Sequence, residues 1–252
     1  MLDQIVDLLN DEGLPLNLLS EAIGILVTIV IITPLVSWVV SMKRNIEIRN
    51  ERIKMCPHLK SAYEPIHESL MAVENSGDSD FIEAGFEAVR RKLAGEMPDG
   101  PYNPSYELAL GNPHHIFSTI KNRVDTQIKY IDSLISLFSP HFRTTDAYSA
   151  MTYLDALRDP SRELNIILQK MQWLRSAAES FEKFGEHLTS VDESEETGGE
   201  DGVEMREELM NNMRENITNE VNDIFSMYKS LDNRAQACQK ALDELILQLE
   251  KR

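Results

Sequence analysis

Hydrophobic positions along this chain follow two patterns. One unbroken apolar run lies near the start; after it, apolar residues recur at helical spacing, with hardly a window that alternates as a strand would. The run is Ala22 to Met42, AIGILVTIVIITPLVSWVVSM, without a charged side chain. A hydrocarbon core of roughly 30 Å takes about 20 apolar residues of helix, whereas buried core helices usually offer runs of about 10 to 14. Ile, Val and Leu occupy every face, and only Thr28, Thr33 and Ser37 are weakly polar, so the run predicts a transmembrane helix at 22–42. Pro34 removes one backbone hydrogen bond from it, a loss that membrane spans tolerate. Residues 1–21 carry five acids and no Lys or Arg, the reverse of a signal peptide's basic start, so the run is expected to stay in the mature chain.

Beyond the run the pattern predicts an all-α fold. Residues 43–56 read as a basic extension of the span, and 57–188 as a cytoplasmic helical bundle. Pro57 is expected to start or bend the next helix and Pro65 to break it, because an interior proline lacks the N–H that the helix needs. A helix beginning at Ser79 or Asp80 places Phe81, Ile82, Phe86, Val89 and Leu93 at helical spacing before Gly95. Residues 96–113, with four prolines, read as a loop. Residues 114–138 then put Ile116, Ile120, Val124, Ile128, Ile131, Ile135 and Phe138 on one face of an amphipathic helix that Pro140 stops. Thr144, Thr145 or Asp146 is the expected cap of a shorter helix through Leu157, and Pro160 the start of another, where Leu164, Ile167, Met171, Leu174, Ala178, Phe181 and Leu188 fit a heptad.

Residues 189–202, TSVDESEETGGEDG, have six acids and three glycines, too little apolar surface to offset the cost of ordering, and read as a flexible acidic hinge. The segment 203–252 carries the strongest periodic signal outside the apolar run. Ile217, Val221, Ile224, Tyr228, Leu231, Ala235, Cys238, Leu242, Leu245 and Leu249 alternate spacings of four and three throughout. A helix of that length reaches roughly 70 Å and needs a partner along its seam. Tyr228, Ala235 and Cys238 at seam positions favour packing on the chain's own bundle over a dedicated zipper, with Leu231, Leu242, Leu245 and Leu249 as candidates for contact with a protein partner or a second copy.

Charge adds an orientation and removes a class of partner. Lys43, Arg44, Arg49, Arg52 and Lys54 crowd the C-terminal flank of the run, and no basic residue precedes it, so the N-terminus is expected outside and the bulk of the chain in the cytoplasm. Trp38 then falls near the inner interface, and the five basic residues are candidates for contact with lipid headgroups. The net charge of −17, with no other basic cluster, argues against nucleic acid. The only two cysteines, Cys56 and Cys238, form no paired framework, as expected in a reducing compartment, where the sequon at Asn216 is chance.

Motifs that carry chemistry are missing: Walker A, the dinucleotide glycine fingerprint, H-E-x-x-H, G-x-S-x-G and zinc-type Cys/His spacing do not occur. A carboxylate di-metal centre in a bundle needs two E-x-x-H motifs, and only Glu64 with His67 supplies one. His114 and His115 are adjacent, so on a helix they diverge by about 100° and cannot readily share a metal. No cofactor or metal is therefore expected. Tyr102 and Tyr106, in the proline-rich stretch, are candidates for partner contact because a loop on a rigid scaffold is a common recognition element. Together these features predict a membrane-anchored helical scaffold, tether or regulatory subunit acting through protein–protein contact. A single-span signalling component is the second reading, and an enzyme with an unrecognised site the third.

Overall fold

A computed structural model of the chain describes residues 16–75, 77–96, 105–192 and 200–251. Helix accounts for nearly all of them, and no strand occurs among the described residues. The elements in order are α1 (Leu16–Val27), a π-helical turn (Thr28–Ile32), α2 (Thr33–Asn75), α3 (Gly77–Ala94), α4 (Tyr106–Phe138), a 3-10 turn (Ser139–His141), α5 (Thr144–Asp192) and α6 (Glu200–Glu250).

The apolar run leaves the rest of the molecule as an isolated helix. Of the 18-residue window that makes Ser20–Met71 long and apolar enough to cross a membrane, none is buried. Pro34 accounts for the π-turn just before it. A proline has no N–H for the carbonyl four residues back, and the chain answers by widening one turn. The Thr33 backbone N–H donates to the Thr28 carbonyl, and the Thr33 hydroxyl donates to the same oxygen at 2.9 Å.

Other prolines do less than their local preference predicts. Pro57 and Pro65 lie inside α2, Pro113 inside α4 and Pro160 inside α5, so none of them starts or breaks a helix. An interior proline costs about 3 kcal/mol. Here each is flanked by core residues that hold the helix together: Met55 and Leu59 around Pro57, Ile66 and Leu70 after Pro65, Leu110 and Phe117 around Pro113, Leu157 and Leu164 around Pro160, all almost fully buried. In consequence the stretch read as a loop at 96–113 is helical from Tyr106, where the Ser105 side chain accepts from the Leu108 N–H. The acidic stretch is likewise helical at both ends, since α5 runs to Asp192 and α6 begins at Glu200; residues 193–199 lie outside the described ones.

Where the sequence offers good punctuation, the helices obey it. Gly95, at φ 72°, ends α3 with the paired bonds Glu96 N–H to Arg91 O (3.0 Å) and Gly95 N–H to Lys92 O (3.2 Å), a left-handed cap that favours glycine.

Cross-links between helices set their directions. Asp159 pairs with Arg234 and Lys170 with Glu220, so α5 and α6 run antiparallel, and this is the most extensive helix contact. Ser161 donates to Asp125 and Arg175 to Glu107, making α4 and α5 antiparallel too. The Tyr63 hydroxyl of α2 donates to Ala235 O of α6 at 2.7 Å. Farther along, Ser79 and Arg90 of α3 meet Tyr228 and Asn222 of α6, so α2 and α3 follow one another along the same neighbour. The result is a rod of packed helices around one continuous core, about 70 Å long from the 49 residues of α5.

The α3–α4 crossing is close. A Cβ added at Gly85 would lie 2.5 Å from Ala109 O and 2.7 Å from Pro113 Cγ. Gly-to-Ala in a helix ordinarily stabilises by about 1 kcal/mol. Gly85→Ala is expected to destabilise instead, by about 1–3 kcal/mol, because a backbone oxygen has to move; denaturant titration followed by circular dichroism measures it.

Candidate functional site

The junction where the isolated apolar helix enters the core gathers most of the buried charge. Along α2 one stripe at spacings of three and four, Trp38, Met42, Asn45, Arg49 and Arg52, leads directly into the buried stripe Met55, Leu59, Tyr63, Ile66 and Leu70. Facing it is the turn between α4 and α5. That turn is closed by Asp146, the third residue of α5, whose carboxylate accepts from the Arg143 backbone N–H at 2.8 Å, the return half of a capping box.

Asp146 also accepts from Arg52 Nη1 at 2.7 Å, with both side chains almost wholly buried. Arg143 completes the knot. Its Nε lies 3.3 Å from Asp146, while Nη2 donates to the carbonyls of Gln248 (3.1 Å) and Lys251 (3.3 Å) at the C-terminal end of α6. One carboxylate and two guanidinium groups therefore tie α2, α5 and α6 together. Burial by itself would push the Asp146 carboxyl up, but the Arg143 N–H, the Arg52 guanidinium and the Arg143 guanidinium outweigh it and hold the carboxyl below its ordinary value of 3.8.

Between stripe and turn lies a groove of about 690 Å³, lined by Trp38, Asn45, Arg49, Arg52, His141 and Phe142 among others. No carboxylate among the described residues lines it. The Nε atoms of Arg49 and Arg52 are buried there without a hydrogen-bond partner among the described residues.

Against this geometry the basic residues of the flank separate. Lys43, Arg44 and Lys54 are exposed; Lys43 is 4.0 Å from Glu47, and Lys54 is 2.6 Å from Glu51. Arg49 is half-buried in the groove wall. Arg52, a headgroup candidate with the other four, is buried and bonded to Asp146, because position 52 falls on the core stripe.

The chain matches no family model, no curated protein and no solved structure. Function must therefore be read from its own residues.

The remaining candidates are placed as follows. Leu231, Leu242, Leu245 and Leu249, expected at a partner interface, are at most 1% exposed and belong to the chain's own core. The α6 seam meets α5 and α2 along its length, so its leucines are already covered, down to Leu249 beside the Arg143 knot. Tyr106 is in the core as well, beneath the Lys92 ammonium at 4.5 Å from its ring, and burial pushes its phenol up to about 12. Tyr102 lies outside the described residues.

Among the described residues, no group of three or more His, Cys, Asp or Glu side chains is arranged to hold a metal. His114 and His115 are exposed on α4, and Glu64 is exposed on α2. Both cysteines are buried; Cys238 donates to Ala156 O at 3.1 Å, and burial pushes its thiol up to about 12. Thiol reagents are expected to label both only after unfolding, as mass spectrometry of the labelled chain would read.

Sequence reasoning missed Asp146 and Arg143 as site residues. The RTTD signal was legible as a helix start, but nothing local announces that the capping acid is also the counter-ion of an arginine 94 positions earlier.

Proposed function

We propose that the chain is a single-span membrane anchor whose helical rod stands in the cytoplasm and acts as a scaffold, tether or regulatory subunit. In a bacterium the membrane would be the inner one. The observation that carries this reading is the apolar helix with no residue of its window buried, since only lipid offers that surface a stable environment. The basic flank supports the orientation. The contact role is supported by large apolar side chains left outside the core on α5: Tyr148 and Met151 near its start, and Ile166 and Trp173 farther out, each pair sharing a helix face.

A signalling role is the second reading, favoured by one feature: α2 passes from the apolar segment into the core without a linker, so a shift or rotation of one end must be felt at the other.

Cysteine reporters test the anchor. In intact cells an impermeant thiol reagent is expected to label Asp3→Cys and to spare Ser176→Cys, an exposed α5 position that should react only once the membrane is opened. Labelling of Ser176→Cys with Asp3→Cys spared in intact cells would reverse the orientation, and release of the protein by alkaline extraction would end the membrane reading. For the contact role, Trp173→Glu is expected to leave helicity unchanged and to lower the assembly mass of the detergent-solubilised protein; an unchanged mass removes that face from consideration.

A further inference from the structure

The groove at the junction has properties that a general basic collar does not need. It is walled on one side by the α2 stripe and on the other by the Pro140–Arg143 turn. Arg52, the partner of Asp146, is part of its lining, 5% exposed and with its Nε buried and unpartnered among the described residues. Arg49 Nε, one helical turn nearer the apolar run, is in the same condition. A buried guanidinium N–H without an acceptor is costly, and two of them occur on the residues lining this groove. The guanidinium groups of Arg49, Arg52 and Arg143 line the groove, and of these Arg52 and Arg143 share the carboxylate of Asp146.

The far end of the groove is apolar. Trp38 and Met42 belong to it and to the exposed apolar helix at once. Arg49 is seven residues beyond Met42, about 10 Å along the helix, the depth at which a headgroup phosphate meets a span that ends near Met42. Cation and apolar wall are thus stacked in the order in which a phospholipid presents its phosphate and its chains.

We propose that this groove binds one anionic phospholipid, its phosphate accepting from Arg49 and Arg52 and its first acyl carbons lying against Trp38 and Met42. The inference rests on the membrane-anchor reading and adds to it a built site with a fixed stoichiometry. By filling the acceptor positions beside the Arg52–Asp146–Arg143 knot, the lipid would report membrane composition to the point where three helices are tied.

The test uses the full chain in nanodiscs of phosphatidylcholine, with or without phosphatidylglycerol, followed by native mass spectrometry of the released protein. One phosphatidylglycerol retained per chain is the expected result. Arg49→Gln is the main variant, because it removes a guanidinium without stranding Asp146; losing one charge-assisted contact should lower retention roughly tenfold. Lys43→Gln with Arg44→Gln removes exposed collar charge and should leave retention unchanged. Inorganic phosphate at millimolar concentration should not displace the lipid.

Equal retention of the two lipids overturns the proposal, as does loss in the collar variant with none in Arg49→Gln, which would mean diffuse attraction only. Displacement by inorganic phosphate would make the ligand a soluble phosphate and overturn the lipid assignment. If Arg49→Gln changes the circular dichroism, Arg49→Lys replaces it, keeping the charge while losing the planar fork, and should still weaken retention. Alkaline extraction separates the two readings: a chain that leaves the bilayer fails as an anchor, whereas one that stays embedded without retaining phosphatidylglycerol fails this inference alone.

Discussion

Asp146→Ala is expected to destabilise the protein by about 3–5 kcal/mol, the usual cost of removing one member of a buried ion pair. The loss is not the worth of the pair. It is the cost of leaving Arg52 buried without its acceptor, together with the N-terminal cap of α5 and the anchor of the Arg143 side chain. Replacing both partners, with Arg52→Met and Asp146→Leu, should recover most of the loss, because two apolar groups of similar size need no counter-ion. Denaturant titration of the detergent-solubilised chain measures both. A double variant no more stable than Asp146→Ala would show that the knot matters for capping and for the end of α6 rather than for charge.

The same pair makes stability fall in acid. The Asp146 carboxyl is held below its ordinary value in the folded state, so the folded protein binds that proton less readily than the unfolded chain does. Its contribution is therefore fully present above the unfolded value of 3.8 and is lost as pH falls through the lower folded value. In Asp146→Ala this part of the acid dependence should be missing, which comparing melting temperatures across the acid range would detect.

Leu231→Asp is expected to unfold the packed helices outright. Leu231 is 1% exposed in the middle of the α6 seam, near the Glu163–Arg234 and Ser230 contacts that join α6 to α5. Truncating such a leucine to alanine costs about 2–5 kcal/mol, and burying an unpaired carboxylate adds its desolvation. The sum is comparable with the whole stability of a typical domain, about 5–15 kcal/mol. Leu249→Asp, at the fully buried end of the same seam, should also lose stability, although less, because the last turns of a helix can fray locally. Full helicity of Leu231→Asp by circular dichroism would refute the packing of α6 on α5 and α2.

Much of the architecture was determined by the sequence alone. The apolar run at 22–42 and the alternation of four and three from Ile217 to Leu249 are periodic signals many residues long, and the burial of every one of those seam positions follows from the period itself. Gly95 and the RTTD start of α5 are local signals of the same kind, since a left-handed cap and a capping acid need only neighbouring residues. Tertiary structure decided where local preference and packing compete. Pro57, Pro65, Pro113 and Pro160 run through helices because core contacts on both sides outweigh a cost that each would impose on an isolated helix. Tertiary structure also decided which charges are inside. Arg52 and Lys54 are indistinguishable in a list of basic residues, yet only Arg52 falls on the stripe that meets α5, where Asp146, brought close by the turn after α4, makes its burial affordable. A partner so distant in sequence leaves no mark on the local pattern, because what joins them is the packing of three helices.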